Sequence, residues 1–402
     1  MKNTKFLEIG SGKGYYGLLA LLGVFILAGL SSFFYMEHSG HWVTGMDNQI
    51  VWGAPHVFAI FLIVAASGAL NVASIGTVFG KQMYQPLGRM SALLAIALLI
   101  GGLTVLVLDL GRPDRLIVAM THYNFKSIFA WNIILYNGFL GLVAVYIWTM
   151  MDPNPAVKKF YKVAGFASFV WRLILTTGTG SIFGWLVARQ AYDAAIMAPM
   201  FIVMSFSFGL AVFMLVMMAT YSWTGRPLGD AVVRRLKNLL GVFIGGVLYF
   251  VMVYHLTNLY ATEHHGVEAF ILRDGGVFTK VFWIGQIFLG SLLPLGLLFC
   301  RFTRDSRFWI GVASALVILG GFAQLYVLLI GGQAYPLVLF PGYEVSSTFA
   351  DGVVNSYSPS LPELVLGFSG IAVAMALMVV GMRVLRLTPA SLADAAVDPH
   401  HK

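Results

Sequence analysis

With 402 residues, of which 59% are hydrophobic and only 10% charged, the chain is an integral membrane protein; soluble domains carry about a quarter charged residues. A formal net charge of +8 would suit nucleic acid in a soluble protein, but here the bases lie between apolar spans and read as an orientation signal, so no nucleic-acid partner is expected. The one cysteine, Cys300, excludes an iron–sulfur cluster held by this chain alone, and no CxxCH motif offers covalent haem.

Ten apolar segments are long enough to cross a bilayer: 15–35, 54–79, 87–109, 128–150, 160–187, 196–221, 238–260, 277–300, 308–330 and 364–387. The first reads as a spanning helix and not a cleaved leader, because it is full length with no small-residue cleavage site behind it. The predicted fold class is therefore all-α integral membrane, ten transmembrane helices in a single membrane domain over residues 1–402. Counting residues near a span end with the adjoining loop, 18 of the 25 Lys and Arg lie on the termini and the loops after spans 2, 4, 6 and 8, 6 lie on the other loops, and Arg172 lies deep within a span. The basic side should be cytoplasmic. That predicts a multi-pass protein of the bacterial cytoplasmic membrane with both termini inside. The outer face carries 11 acids. Its longest loop, Gly331 to Pro362, holds Tyr335, Tyr343 and Tyr357; it reads equally as a partner-docking surface or a solvated cap.

Span 2 opens Ala54-Pro55-His56, with proline in the first turn where no N–H bond is lost. His56 then lies about one turn inside the outer surface. Span 3 runs back to that surface in Leu103 to Leu116, LTVLVLDLGRPDRL. There an apolar run ends in Asp109, with Arg112, Asp114 and Arg115 just beyond. Span 4 brings Trp131, Asn132, Tyr136 and Asn137 in its first turns. Three consecutive helices thus place His, Asp, Asn and Tyr at one outer depth, where ionisable groups mark functional sites. A quinone needs donors for two carbonyls, and its quinol releases two protons on oxidation. Imidazole and phenol can donate, histidine exchanges protons near neutrality, and a carboxylate beside it fixes its tautomer. The competing reading pairs Asp109 with Arg112 or Arg115 as a helix-end anchor.

Arg172 sits near the middle of span 5, where an unpaired charge costs at least about 2.5–3.5 kcal/mol. It should face the bundle interior, near Ser67 and Asn71 or Asn137, either on a proton or water route or as a clamp to helix carbonyls; the route is favoured. A parallel repeat is also visible. Ala54-Pro55 and Ala198-Pro199 open spans 2 and 6, Pro86-Leu87-Gly88 and Pro227-Leu228-Gly229 follow them, and Phe125 to Phe129 corresponds to Phe278 to Phe282. A duplication of four helices predicts two four-helix bundles, 54–187 with the quinone site and 196–330, flanked by span 1 and the last helix, 364–387. After span 7, Glu263, His264, His265 and Glu268 have ligand chemistry for zinc or iron, but they match no metal motif and read better as a solvated, partner-facing loop. A haem b between His56 and His255 would need the two to face each other across the bundles and is not the favoured reading.

Asp109-Leu110-Gly111-Arg112-Pro113 after a third helix, with Pro55-His56 opening the second, resembles the NrfD/PsrC family of membrane subunits. The ten-span form with Glu263-His264-His265-Gly266-Val267-Glu268 looks most like its DsrP branch, from the DsrMKJOP complex of dissimilatory sulfur metabolism. The resemblance implies a quinone-interacting subunit that binds menaquinone or ubiquinone as an exchangeable partner near the outer face. It would exchange electrons with a ferredoxin-like iron–sulfur subunit of a membrane redox complex, with proton translocation open. On this resemblance His56 and Asp109 would be the quinone and proton positions, with Tyr136 a looser match; by their depth in the spans Asn132 and Arg112 join the candidate quinone contacts and Arg172 the candidate proton route. A secondary transporter is the main alternative. Gly178-Thr179-Gly180 is its only candidate helix break. A structural anchor for an extracytoplasmic complex is the third reading.

Overall fold

The computed structural model describes residues 4–337 and 352–398; Tyr343 lies outside them. Ten long helices follow the predicted spans: α1 (Lys13–Ser39), α2 (Ala54–Thr77), α3 (Gly88–Leu108), α4 (Ile128–Met151) and α5 (Tyr161–Gly184), then α6 (Met197–Thr224), α7 (Asp230–Tyr260), α8 (Val277–Phe299), α9 (Arg307–Ala334) and α10 (Leu361–Val384). Among the described residues, 9 helices are long and apolar enough to cross a membrane. The long helix outside that set is α5, whose 24 residues include Arg172 and a run of Thr, Gly and Ser that lowers its hydropathy. The helix is almost wholly buried by its neighbours over residues 175–184, while Val163, Phe166, Val170 and Ile174 ahead of them are exposed. It continues unbroken through Gly178-Thr179-Gly180, so the candidate transporter break is regular helix.

The two chain ends meet at one end of the molecule. Strand β1 (Phe6–Leu7) pairs antiparallel with β2 (Thr388–Pro389), and Arg226 donates to Glu8 O and Thr388 Oγ1, both at 2.6 Å. At the opposite end the start of α2, the ends of α3, α7 and α9 and the start of α10 converge. That end holds the site.

Helix α2 is the hub. It packs against α3, α5, α6, α9 and α10, while α1 packs mainly on α10 and leaves most of its surface exposed. Small residues make the hub possible, because without a hydrophobic drive between apolar helices the gain comes from close packing. A Cβ on Gly68 would lie 1.5 Å from Ser205 O, and one on Gly209 would lie 2.2 Å from Ala69 N. The α2 and α6 backbones therefore touch. Helices α8 and α9 cross the same way at Gly290 and Gly320, where a Cβ on Gly320 would fall 2.1 Å from the Gly290 Cα.

Among the described residues three π-helical segments occur, all in the second half of the chain: Phe270–Asp274, Val281–Leu292 within α8 and Val327–Gly331 within α9. Pro294 follows the longest and lacks the N–H that would bond the Gly290 carbonyl.

We predict that Gly68→Val, which forces α2 and α6 apart, abolishes or sharply lowers the yield of monodisperse protein in mild detergent. Gly245→Ala, which adds a methyl where nothing lies within 4 Å, should leave the yield unchanged. Equal yields of the two would remove the backbone contact as a requirement.

Candidate functional site

Gly53 is extended and Pro55 sits in the first turn of α2, which aims His56 toward the end of α3. Asp109 caps that helix. His56 Nδ1 lies 2.8 Å from Asp109 Oδ2, with the Asp109 side chain 0% and the His56 side chain 16% exposed. This is an ion-pair distance without hydrogen-bond geometry: the ring N–H is not aimed at the oxygen, and among the described residues His56 Nδ1 and both Asp109 oxygens have no hydrogen-bond partner. A buried carboxylate at the negative end of a helix dipole, with no aligned donor, is short of one donor group.

The arginines do not supply it. Arg112 is exposed and clasps Asp114 through two bonds of 3.0 and 2.9 Å, and the hydrogen bond holds the Asp114 carboxyl below its usual range. The helix-end anchor reading therefore fails for Arg112. Its expected place beside the site is corrected too, because its fork already meets the nearest solvated acid.

Aromatic rings wall the pair. Trp52 stacks beside His56 at 6.2 Å and meets Phe129, Phe183 and Tyr192 at 6.0, 5.8 and 6.4 Å. Trp52 is held from the second half of the chain. Gln333, at the end of α9, accepts from the Val51 and Trp52 N–H groups at 2.9 and 3.0 Å and donates to Trp52 O at 3.0 Å. Gln49 and Arg189 bond the Gln333 carbonyl in turn. On the other side of α2, Tyr357 Oη accepts from Ala54 N–H at 2.7 Å and donates to the buried Glu363 at 2.6 Å. Sequence reasoning missed these supports. Glu363 was detectable by the argument that flagged Asp109, a carboxylate at the mouth of an apolar span; Gln49 and Gln333 carry no charge and gave no such signal.

Asn132 and Tyr136 form a separate cluster. Asn132 donates to Ile128 O and Gly178 O at 2.9 and 3.1 Å and accepts from Thr179 Oγ1 at 3.4 Å, and the buried Tyr136 lies beside Thr179. Phe129, Asn132 and Tyr136 share one face of α4, so this cluster lies behind the Trp52 rings and ties α4 to α5. Asn137 and Trp131 face away, each bonding a carbonyl of its own segment.

Arg172 does face the bundle interior. It donates to Asn71 Oδ1 at 2.9 Å and Ser67 O at 3.4 Å, between the Phe169 and Phe206 rings, each 5.0 Å from the guanidinium carbon. Among the described residues it has no carboxylate partner, and a guanidinium keeps its protons. The two terminal nitrogens make the contacts of a clamp joining α5, α2 and α6, while the buried Nε has no hydrogen-bond partner among the described residues.

The segment after α7 is not the solvated loop expected. His264 and Glu268 are buried. Glu268 accepts from His255 Nδ1 at 2.7 Å and from Asn258 Nδ2 at 2.9 Å, because the chain folds a short helix, His265–Ala269, back onto α7. His264 bonds Gln190 O and His265 bonds Leu259 O. Among the described residues no three His, Cys, Asp or Glu side chains gather as metal ligands. His56 and His255 each have their own carboxylate partner, Asp109 and Glu268.

Residues 42–336 match the family described as polysulphide reductase, NrfD. The chain is 28% identical to the Hdr-like menaquinol oxidoreductase integral membrane subunit of Archaeoglobus fulgidus, over 97% of this chain and 98% of the relative. It is 25% identical to a selenate reductase subunit of Mesobacillus selenatarsenatis, over 87% and 88%. The integral membrane subunit of menaquinone reductase from Nitratidesulfovibrio vulgaris is 21% identical over 81% and 83%.

For the clamp we predict that Asn71→Leu, which strands a buried charge, costs about 3–5 kcal/mol, more than Arg172→Leu. The double variant should be more stable than Asn71→Leu alone. Additive losses in thermal unfolding would show that the two side chains do not support each other.

Proposed function

The chain belongs to the NrfD polysulphide reductase family, and from that membership and the buried His56–Asp109 pair we propose that it is the quinone-interacting membrane subunit of a respiratory oxidoreductase complex. The observation that carries the proposal is the pair itself: an imidazole and a carboxylate 2.8 Å apart, with both carboxylate oxygens lacking a hydrogen bond. A quinol hydroxyl is a donor of the kind this site lacks. The names of two relatives favour menaquinone over ubiquinone.

Bound quinol supplies two electrons and two protons. Asp109 accepts the hydrogen bond of a ligand hydroxyl, and the His56 ring takes up a proton at the nitrogen turned away from Asp109. The carboxylate then holds the imidazolium, which needs a counter-charge in a low-dielectric site. Trp52 offers a flat apolar wall, fixed by Gln333 so that the imidazole keeps its orientation.

The proposal includes a partner on this end of the molecule, a ferredoxin-like iron–sulfur subunit that exchanges the electrons. Large apolar side chains stand exposed at the helix ends and in the connecting segments here, among them Trp42, Ile117, Val118, Trp185 and Tyr260, which supports a covered surface. The charge distribution supports this end being outside and the termini inside. The part in dissimilatory sulfur metabolism rests on the resemblance carried by Glu263 to Glu268.

In the assembled complex, His56→Ala and Asp109→Asn should each lower quinol-linked turnover by about a hundredfold or more, with the subunit still incorporated. Unchanged turnover in both variants removes the assignment.

A further inference from the structure

The core of the second bundle holds polar groups that the proposed quinone chemistry does not use. His255, near the end of α7, has a side chain 13% exposed, and its partner Glu268 is 0% exposed. Unlike the first pair, this one is fully formed. Both Glu268 oxygens accept a hydrogen bond, one from His255 and one from Asn258. Tyr254 stands edge-on to the imidazole at 4.9 Å, with its own hydroxyl bonded to Ala191 O.

A cavity of about 30 Å³ adjoins His255 and is also lined by Gln286 of α8 and Gln324 of α9. Both glutamines are more than nine-tenths buried, at 6% and 5% exposure. Among the described residues no partner engages either side-chain amide. A second cavity of about 10 Å³ shares the same two glutamines and continues to Ser207 and Ser291. A water needs about 10–15 Å³ and two or more polar partners, so the first cavity has room for water and the second is at the limit for one. Neither could admit a quinone ring, since ligand pockets run to hundreds of cubic ångströms. All three π-helical segments meet here: Ile271, Gln286 and Val327 line the first cavity. Such wide turns recur at functional sites.

We propose that His255 and Glu268 form a second acid–base site, distinct from His56–Asp109, that exchanges protons with water held against Gln286 and Gln324. A structural clamp would explain the His255–Glu268–Asn258 bonds alone. It would not explain two buried amides left facing a water-sized space. The step is a proton transfer only. A hydronium gives its proton to His255 Nε2 and leaves as water, while Nδ1–H stays on Glu268. The product is an imidazolium–carboxylate pair of zero net charge, which the apolar surroundings tolerate, and release reverses the step. The first cavity has no Lys, Arg or Asp among its lining residues. The other ionisable neighbours are Tyr254, His264, bonded to Gln190 O, and the exposed Glu263, 3.8 Å from His264.

The test is the pH-difference infrared spectrum of the full chain in lipid bilayers, scanned between about pH 5 and 9, the range in which histidine titrates. We expect an imidazole signal that is lost in His255→Gln and altered in Glu268→Gln. In Gln286→Leu, hydrogen–deuterium exchange at the imidazole should slow about tenfold, the effect of one lost hydrogen bond. A scan with no signal assignable to His255, or exchange unchanged in Gln286→Leu, would overturn the proposal. Should Glu268→Gln fail to fold, His255→Gln and Gln286→Leu decide the matter. The signal should persist in His56→Ala, so a failure of the quinone assignment leaves this result standing.

Discussion

Every part of the site depends on the contact between the α2 and α6 backbones at Gly68 and Gly209. In lipid, helices gain little by hiding apolar side chains from one another, so association relies on close approach and on polar pairs that need a partner. Here the approach is as close as two helices allow. It makes α2 the axis of the molecule and fixes its upper end against α3, α9 and α10. His56, one turn from that end, inherits its position from a contact several turns away.

The interior polar groups fall into two kinds, and satisfaction separates them. Asn132 and Glu268 are bonded to neighbours, and each stitches one helix to another; Arg172 does so through its two terminal nitrogens, while its buried Nε has no partner among the described residues. Asp109 has its imidazole at contact distance with no bond aligned, while Gln286 and Gln324 face space. Buried groups left incomplete are costly, so in a folded protein they mark places where something else arrives. That distinction, and not the mere presence of charge in the membrane, is what points to the chemistry.

Much of this was legible in the sequence. Hydropathy gave most helix positions to within a few residues, since the length of an apolar run is set by bilayer thickness; α7 is the exception, because its first turns, from Asp230, are polar and lie ahead of the apolar run that opens at 238. The depth of His56 and Asp109 followed from proline at one helix start and an abrupt acid at another helix end. Depth, however, is one coordinate. Azimuth is the other, and α4 shows the limit: Asn132 and Tyr136 lie at a suitable depth but turn to Thr179. Arg112 was misplaced because the sequence does not reveal that its nearest acid is the one two residues on. The buried Glu268 was read as solvated because a short helix folding back on its predecessor has no periodic signature. Gln333 could not have been found at all, since its role depends on a contact with Trp52 that spans most of the chain.

That long-range contact also bears on how such a protein could have arisen. If two halves descend from one ancestor, the present first half is no longer a self-sufficient copy of it. The tryptophan beside its histidine is gripped by the last turn of the second half, and the first amide of its central helix is met by Tyr357, which precedes the final helix. The smallest inheritable unit of this chemistry is therefore the whole chain, and divergence of the second half must have been constrained by a site to which it contributes no reacting group.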